Sequence, residues 1–177
     1  MGLDMYLEKR MYIGWDERSK LKITGIKEKF NIKNVKGIVE EVGYWRKANA
    51  IHGWFVNNVQ DGKDDCKDYH VNNKQLKELL DLVNKVITGS KLVKGKISNG
   101  YRFEDGKKTP IFVDGRYIKN NSTAKKLLPV SSGFFFGNSD EETAYDEYYL
   151  DDLKLTKKIL EKALTDDSAD YYYSSSW

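Results

Sequence analysis

The sequence is poor in the residues that carry metal and thiol chemistry. Its 177 residues include one cysteine, Cys66, and two histidines, His52 and His70. A single cysteine excludes an intramolecular disulfide and is typical of a reducing compartment. A zinc site built on so few ligands would also need carboxylates. We therefore predict neither a metal ion nor a cofactor, and we name no catalytic residue.

Long apolar runs and a strong net charge are also missing. The opening MGLDMYLEKR lacks the apolar core of a signal peptide, and no segment approaches the length of a membrane span. We expect a protein that acts in the cytoplasm, away from membranes. The 30 Lys and Arg residues against 27 acids give a net charge of +3, which is too mild to indicate nucleic acid by itself. The Lys-rich segments 18–36 and 91–126 are interpreted as loops, so nucleic acid is the least favoured partner.

The hydrophobic pattern predicts one α+β domain over residues 1–177. Apolar and polar residues alternate over 3–13 and 170–177, which indicates strands. Three- and four-residue apolar spacing predicts helices over 45–59, after Asn72 and over 144–165, with Asn72 and Gln75 as a capping box. Further strands are predicted over 35–44 and within 127–137. The sum is a mostly antiparallel sheet of about four strands with about three helices packed on one face.

Two other segments have a distinct composition. Residues 90–121 are rich in Lys and Gly, and EDGKK lies between the β-prone runs YRF and PIFV, which predicts a peripheral hairpin or insertion. Acidic residues at 146, 147, 151 and 152 crowd the first turns of the predicted helix 144–165. We interpret them as complementing the helix dipole.

The sequence contains no phosphate-binding glycine loop, paired cysteines, HExxH or nucleophile elbow. What remains is a set of polar and aromatic side chains beside the predicted apolar faces. They offer rings for stacking, guanidinium for an anion and hydroxyls for orientation, which suits a nucleotide-like ligand or a polar protein epitope. The alternative is a structural network between helix and sheet. The candidate site residues are Tyr6, Glu8, Arg10, Tyr44, Arg46, Asn49, His52, Tyr171 and Tyr173.

Five blocks of sequence carry a resemblance. They are MGLDMYL, EVGYWRKANAIHGWFV, LLPVSSGFFFG, the tyrosines at 148–149 and YYYSSSW. Together they resemble a family of small accessory proteins of tailed bacteriophages and prophages. The resemblance covers both ends and the middle but not residues 14–34 or 90–121, and it supplies no catalytic residue.

The resemblance implies an accessory protein made inside an infected bacterium. Such proteins often bind and disable host factors, including immune-system proteins or their nucleotide messengers. We therefore expect a non-enzymatic binder of a host protein or a small anionic ligand. The alternative is an enzyme of unrecognised type that acts on a nucleotide or nucleic acid.

Overall fold

Strands and helices alternate along the chain, and the predicted α+β class is confirmed. The computed structural model describes residues 2–27, 29–104, 106–131, 143–166 and 168–177. The elements are β1 (Asp4–Tyr12), α1 (Trp15–Arg18), a 3-10 turn (Ile32–Asn34), β2 (Gly37–Arg46), α2 (Asn49–Asn58), β3 (Tyr69–Val71), α3 (Asn73–Gly89), β4 (Leu92–Glu104), β5 (Lys107–Ile118), α4 (Ser122–Leu127), α5 (Glu147–Ala163) and β6 (Asp170–Ser176).

The main sheet has four antiparallel strands, the number and direction that the sequence predicts. Their order is β2-β1-β6-β3, and the short edge strand β3 lies where no strand is predicted. The alternation of β1 sets its two faces, because Leu3, Met5 and Leu7 are fully buried while the residues between them are half-exposed. Leu7 lies opposite Tyr173 of β6. Residues near both ends of the chain therefore form the inner face of the sheet together.

Helices α2, α3 and α5 pack on that inner face. Their buried side chains join those of the sheet in one cluster, which includes Phe55, Leu79 and Leu153. Phe55 stacks on Tyr173 with ring centroids 3.9 Å apart. Helix α3 begins at the predicted capping box, in which the Asn72 side chain accepts from the Gln75 amide at 2.9 Å and the Gln75 side chain accepts from the Asn72 amide at 3.0 Å.

The prediction of a helix from residue 45 is wrong for its first turn. Strand β2 continues through Arg46, and the backbone turns at Lys47, whose φ is +59°, before α2 begins at Asn49. Trp45 consequently enters the core from a strand, where its Nε1 donates to Thr156 Oγ1 at 2.9 Å. Because Trp45 is buried like the apolar residues of α2, it extends their three- and four-residue spacing and so led to the prediction of a longer helix.

A separate two-stranded sheet is formed by β4 and β5. The hairpin predicted within 90–121 is present, but its strands are far longer than the runs YRF and PIFV. Ile97 and Ile118, each 2% exposed, join it to the rest of the chain. Lys94 and Lys96 lie on a strand, so the interpretation of 91–126 as loop is wrong there. The strand predicted within 127–137 falls mostly on residues outside the described part of the chain.

Candidate functional site

The sheet separates the candidate site residues onto opposite faces. Tyr6, Glu8, Arg10 and Tyr44 lie on the outer face, away from the helices. Tyr171 and Tyr173 lie on the inner face and are 2% and 0% exposed. Because successive strand residues point to opposite sides, neither inner tyrosine can share a surface with Tyr6. The tyrosine of β6 that does reach the outer face is Tyr172, opposite Glu8.

The outer-face residues are bonded mainly to one another. Arg10 donates to Glu8 at 2.9 Å and also to Asp68, and its guanidinium lies 4.3 Å from the centre of the Tyr172 ring. This arrangement matches the structural network that the sequence left open as an alternative.

A tyrosine pair continues the outer face toward the edge strand. The rings of Tyr6 and Tyr44 are 5.5 Å apart, and the Tyr44 hydroxyl donates to Asp4. That hydrogen bond raises the pKa of Tyr44. The Tyr44 hydroxyl is thus also engaged within the sheet.

His52 belongs to a buried hydrogen-bonded chain. The residue is 1% exposed; its Nδ1 lies 2.8 Å from the Tyr173 hydroxyl and its Nε2 lies 2.9 Å from Asp64 Oδ2. The other oxygen of Asp64 accepts from Trp177 Nε1 at 3.1 Å. Burial and the charge of Asp64 raise the pKa of Tyr173. These contacts tie α2, the loop after it and the last strand together, and they keep His52 and Tyr173 buried away from a ligand.

Arg46 and Asn49, the other two candidate residues, line a cavity of about 400 Å³. Described residues from four segments line it: the turn from β2 into α2, a bulge of β4 at residues 98–100, Val130, and residues 144–153 at the start of α5. Gly100 adopts a φ of +96°, which suits glycine, and so permits that bulge. The lining residues used below are Arg46, Lys47, Asn49, Asp146, Tyr148 and Asp152.

One side of the cavity is electropositive. Arg46 and Lys47 are exposed, and neither forms an ion pair with a described residue. The residue before α2 is Ala48, whose methyl group cannot accept from the first amides of the helix. Ala50 and Ile51 of that first turn line the cavity. Two cations and an uncapped helix N-terminus together favour an anion.

Two acids at the start of α5 also line the cavity, the N-cap Asp146 and Asp152 of the helix. Asp146 is 4% exposed and caps the helix by accepting from the Tyr149 amide at 3.0 Å, and burial raises its pKa. Burial raises the pKa of Asp152 to about 7, and the nearby charges of Asp146 and Asp151 add to the effect. At neutral pH Asp152 is therefore a mixture of carboxylic acid and carboxylate, able to donate or to accept.

Sequence reasoning did not select Lys47, Tyr148 or Asp152. A usable signal for Asp152 exists, because it lies three residues after Tyr149 and four before Thr156, both of which are buried. That spacing sets Asp152 on the flank of the buried stripe rather than on the solvent side. An acid on that flank is expected to have a raised pKa. The interpretation of Asp152 as a partner of the helix dipole overlooks this.

Comparisons of the chain with protein-family models, curated proteins and solved structures give no match. In the described ranges no helix has the length and apolar character needed to cross a membrane. The same residues hold no group of three or more His, Cys, Asp or Glu side chains arranged for a metal ion. The cavity and the two faces of the sheet are the features that bear on function.

Proposed function

We propose that the protein is a phage or prophage accessory protein that binds a small nucleotide-like anion in the Arg46–Asp152 cavity. In this proposal binding is non-enzymatic and disables a host factor that depends on the ligand, such as an immune system that uses a nucleotide messenger. The observation that supports it most is the pairing of a helix N-terminus and two cations, neither ion-paired with a described residue, with a carboxyl group that titrates near neutrality.

The electropositive side suits a phosphate. A guanidinium binds two phosphate oxygens in parallel, and Lys47 adds a second positive charge beside it. The amides of Ala50 and Ile51 lie in the first turn of α2, where N–H groups lack intrahelical partners. A ligand with one or two phosphate groups would therefore be oriented with its charge toward α2.

The acidic side suits a base or a sugar. Asp152 can accept from an amino or hydroxyl group as a carboxylate and can donate to a ring nitrogen as an acid. The Tyr148 ring, which is 65% exposed, lies beside the cavity and is available for stacking. A volume of about 400 Å³ lies within the range of small-molecule sites, roughly 300–1,000 Å³.

The test is direct binding of a panel of 5′-mononucleotides and cyclic dinucleotides, measured by isothermal titration calorimetry. Mass spectrometry of small molecules released by heating the freshly purified protein would identify a ligand retained from the cell. Arg46→Ala should weaken binding about tenfold or more, because a charge-assisted bidentate contact is lost. Arg10→Ala removes the same charge from the outer face and should leave the affinity unchanged. Absence of binding by every nucleotide, or equal losses in the two variants, would contradict the proposal.

An enzyme is the second candidate, and the pKa of Asp152 favours it. A general acid or base works best when its pKa is near the operating pH. The same nucleotides should be incubated with the protein and recovered for chromatography. Recovery of intact nucleotide supports a binder, whereas a product whose formation Asp152→Asn abolishes supports the enzyme.

A further inference from the structure

The β4–β5 hairpin concentrates positive charge. Residues 91–119 contain eight lysines and arginines against three acids, a net charge of +5 in a chain whose total is +3. Lys91, Lys94, Lys107 and Lys119 form no ion pair with any described residue. The remainder of the chain is therefore slightly acidic, and a polyanion would be attracted to the hairpin first.

The strand register shows which side chains share a face. Residues directly opposite in an antiparallel pair point to the same side. Lys94 lies opposite Arg116, Ser98 opposite Phe112 and Tyr101 opposite Pro110. One face consequently carries three aromatic rings, from Tyr101, Phe103 and Phe112, in the half of the hairpin near its turn. Lys94, Lys96 and Arg116 occupy the other half of the same face.

Most of this aromatic and basic face is exposed, but at its base Ile118, on the same face, is buried in the core. The opposite face includes Ile97, which is 2% exposed and packs over Gly115. Phe103 and Phe112 are 73% and 48% exposed, so their rings contribute little to the core. They are instead positioned for contact with something outside the chain.

Of the described cations on this face, Lys96 and Arg116 have acidic partners. Lys96 lies 2.8 Å from Asp114, and Arg116 lies 2.9 Å from Glu147. An exposed pair such as Lys96–Asp114 contributes little to stability, so Lys96 can turn to a phosphate at small cost. Arg116 is held by three hydrogen bonds to Glu147 and keeps that partner, while its charge still adds to the positive field of the face. Lys94, directly opposite Arg116, forms no ion pair with a described residue and is available to a phosphate already.

We propose that this face of the β4–β5 hairpin binds single-stranded nucleic acid. Its rings are spaced along a ribbon on which successive unpaired bases can stack, and its cations follow the backbone phosphates. Bases inside a duplex are already stacked on one another and offer their faces to no side chain. A protein partner could use the rings, but it would not account for the concentration of positive charge.

The test uses fluorescence anisotropy with labelled oligo(dT) and oligo(U) of about 20 nucleotides, at about 50 and about 200 mM salt. The wild type should bind the single strands more tightly than a duplex of equal length. Phe103→Ala and Phe112→Ala should each weaken binding about fivefold or more, as expected for a lost stacking contact. Lys94→Gln should reduce the slope of log affinity against log salt by about 0.7.

Three variants serve as controls. Lys74→Gln removes one exposed charge from α3, and Phe30→Ala removes one exposed ring outside the hairpin; neither should change the affinity. Arg46→Ala should also bind the oligonucleotide normally, which separates the hairpin from the cavity. Failure to bind at about 50 mM salt, a preference for duplex, or equal effects of hairpin and control variants would each overturn the proposal. So would self-association that Phe103→Ala abolishes in a protein that binds no oligonucleotide.

Discussion

Replacing Asp152 with asparagine should stabilise the fold at about pH 8 and leave its stability unchanged at about pH 4. The substitution keeps the shape of the side chain and removes its ability to ionise. Burial raises the pKa of this carboxyl from an ordinary 3.8 to about 7. The folded state therefore disfavours the charged form, which the unfolded state accommodates readily.

The sign follows from which state holds the proton. Below pH 3.8 the carboxyl is protonated in both states, and folding is unaffected. Between 3.8 and about 7 the unfolded chain releases the proton while the folded chain keeps it, so stability falls as the pH rises. Above about 7 the whole penalty is present.

The size of the effect is bounded by the shift. One pKa unit corresponds to about 1.4 kcal/mol, so a shift of about three units sets an upper limit of about 4 kcal/mol. The asparagine amide must also leave water, and solvent near the cavity screens the charge. We expect a gain of about 1–3 kcal/mol at about pH 8.

The assay is urea denaturation of both proteins at about pH 4, 6 and 8, fitted as a two-state transition. Asp81→Asn, an exposed position on α3, is the matched control and should show no difference that grows with pH. Equal stabilities of wild type and Asp152→Asn at about pH 8 would refute the reasoning. A difference of the same size at about pH 4 would do so as well, because it would not involve ionisation.

Two further predictions concern the core, and both are measured by urea denaturation. Gly43→Ala should destabilise the protein by about 1–3 kcal/mol, because the added methyl would overlap Cγ2 of Ile159 and lie 3.1 Å from its Cδ1. Combining it with Ile159→Ala should destabilise the protein by less than the sum of the two single losses. Strict additivity would show that the overlap is not the cause. Tyr173→Phe should lower the free energy of unfolding by about 1–3 kcal/mol, because it removes the hydroxyl that is hydrogen-bonded to the buried Nδ1 of His52. Tyr172→Phe on the outer face is the control and should lower it much less. Similar losses in the two variants would rule out a special role for the buried hydrogen bond.

Local sequence patterns predicted the parts of the fold that depend on interactions between residues close together in the sequence. The alternation of β1 is readable because Leu3, Met5 and Leu7 differ sharply from their polar neighbours. The cap of α3 is readable because Asn72 and Gln75 satisfy each other's amides within four residues. Neither signal requires knowledge of a distant segment.

In the last strand, β6, local sequence patterns do not determine which face is buried. Tyr171, Tyr173 and Ser175 alternate with Tyr172, Ser174 and Ser176, so the two faces of the strand have nearly the same composition. Only the pairing of Tyr173 with Leu7 decides which face is buried. A tyrosine tolerates either environment, because its ring is apolar and its hydroxyl is polar. Assigning Tyr171 and Tyr173 to a polar surface was therefore a choice that local sequence could not make.

The cavity depends on still longer-range contacts. It is lined by residues from 46–51, 98–100, 130 and 144–153, and the sequence of none of these segments indicates that it contacts the others. Arg46 and Asn49 were selected from the sequence for their chemistry, and both line the cavity. They do so from the end of a strand and the start of a helix, although the sequence predicted a single helix. Lys47, at the turn between them, was missed for that reason.

The cost of burying Asp152 is also an argument for the cavity, rather than the outer face of the sheet, as the region adapted to binding. An apolar or neutral residue at its position would make the fold more stable above about pH 4, by the linkage described for Asp152→Asn. The acids of the outer face are different, since Asp68 and Glu8 pair with Arg10 and satisfy it. No described cation pairs with Asp152 in the same way. Asp152 is held at a cost to folding in a cavity that Arg46 and Lys47 also line, and neither cation pairs with a described residue. A ligand with both acidic and hydrogen-bonding groups would offset that cost on binding.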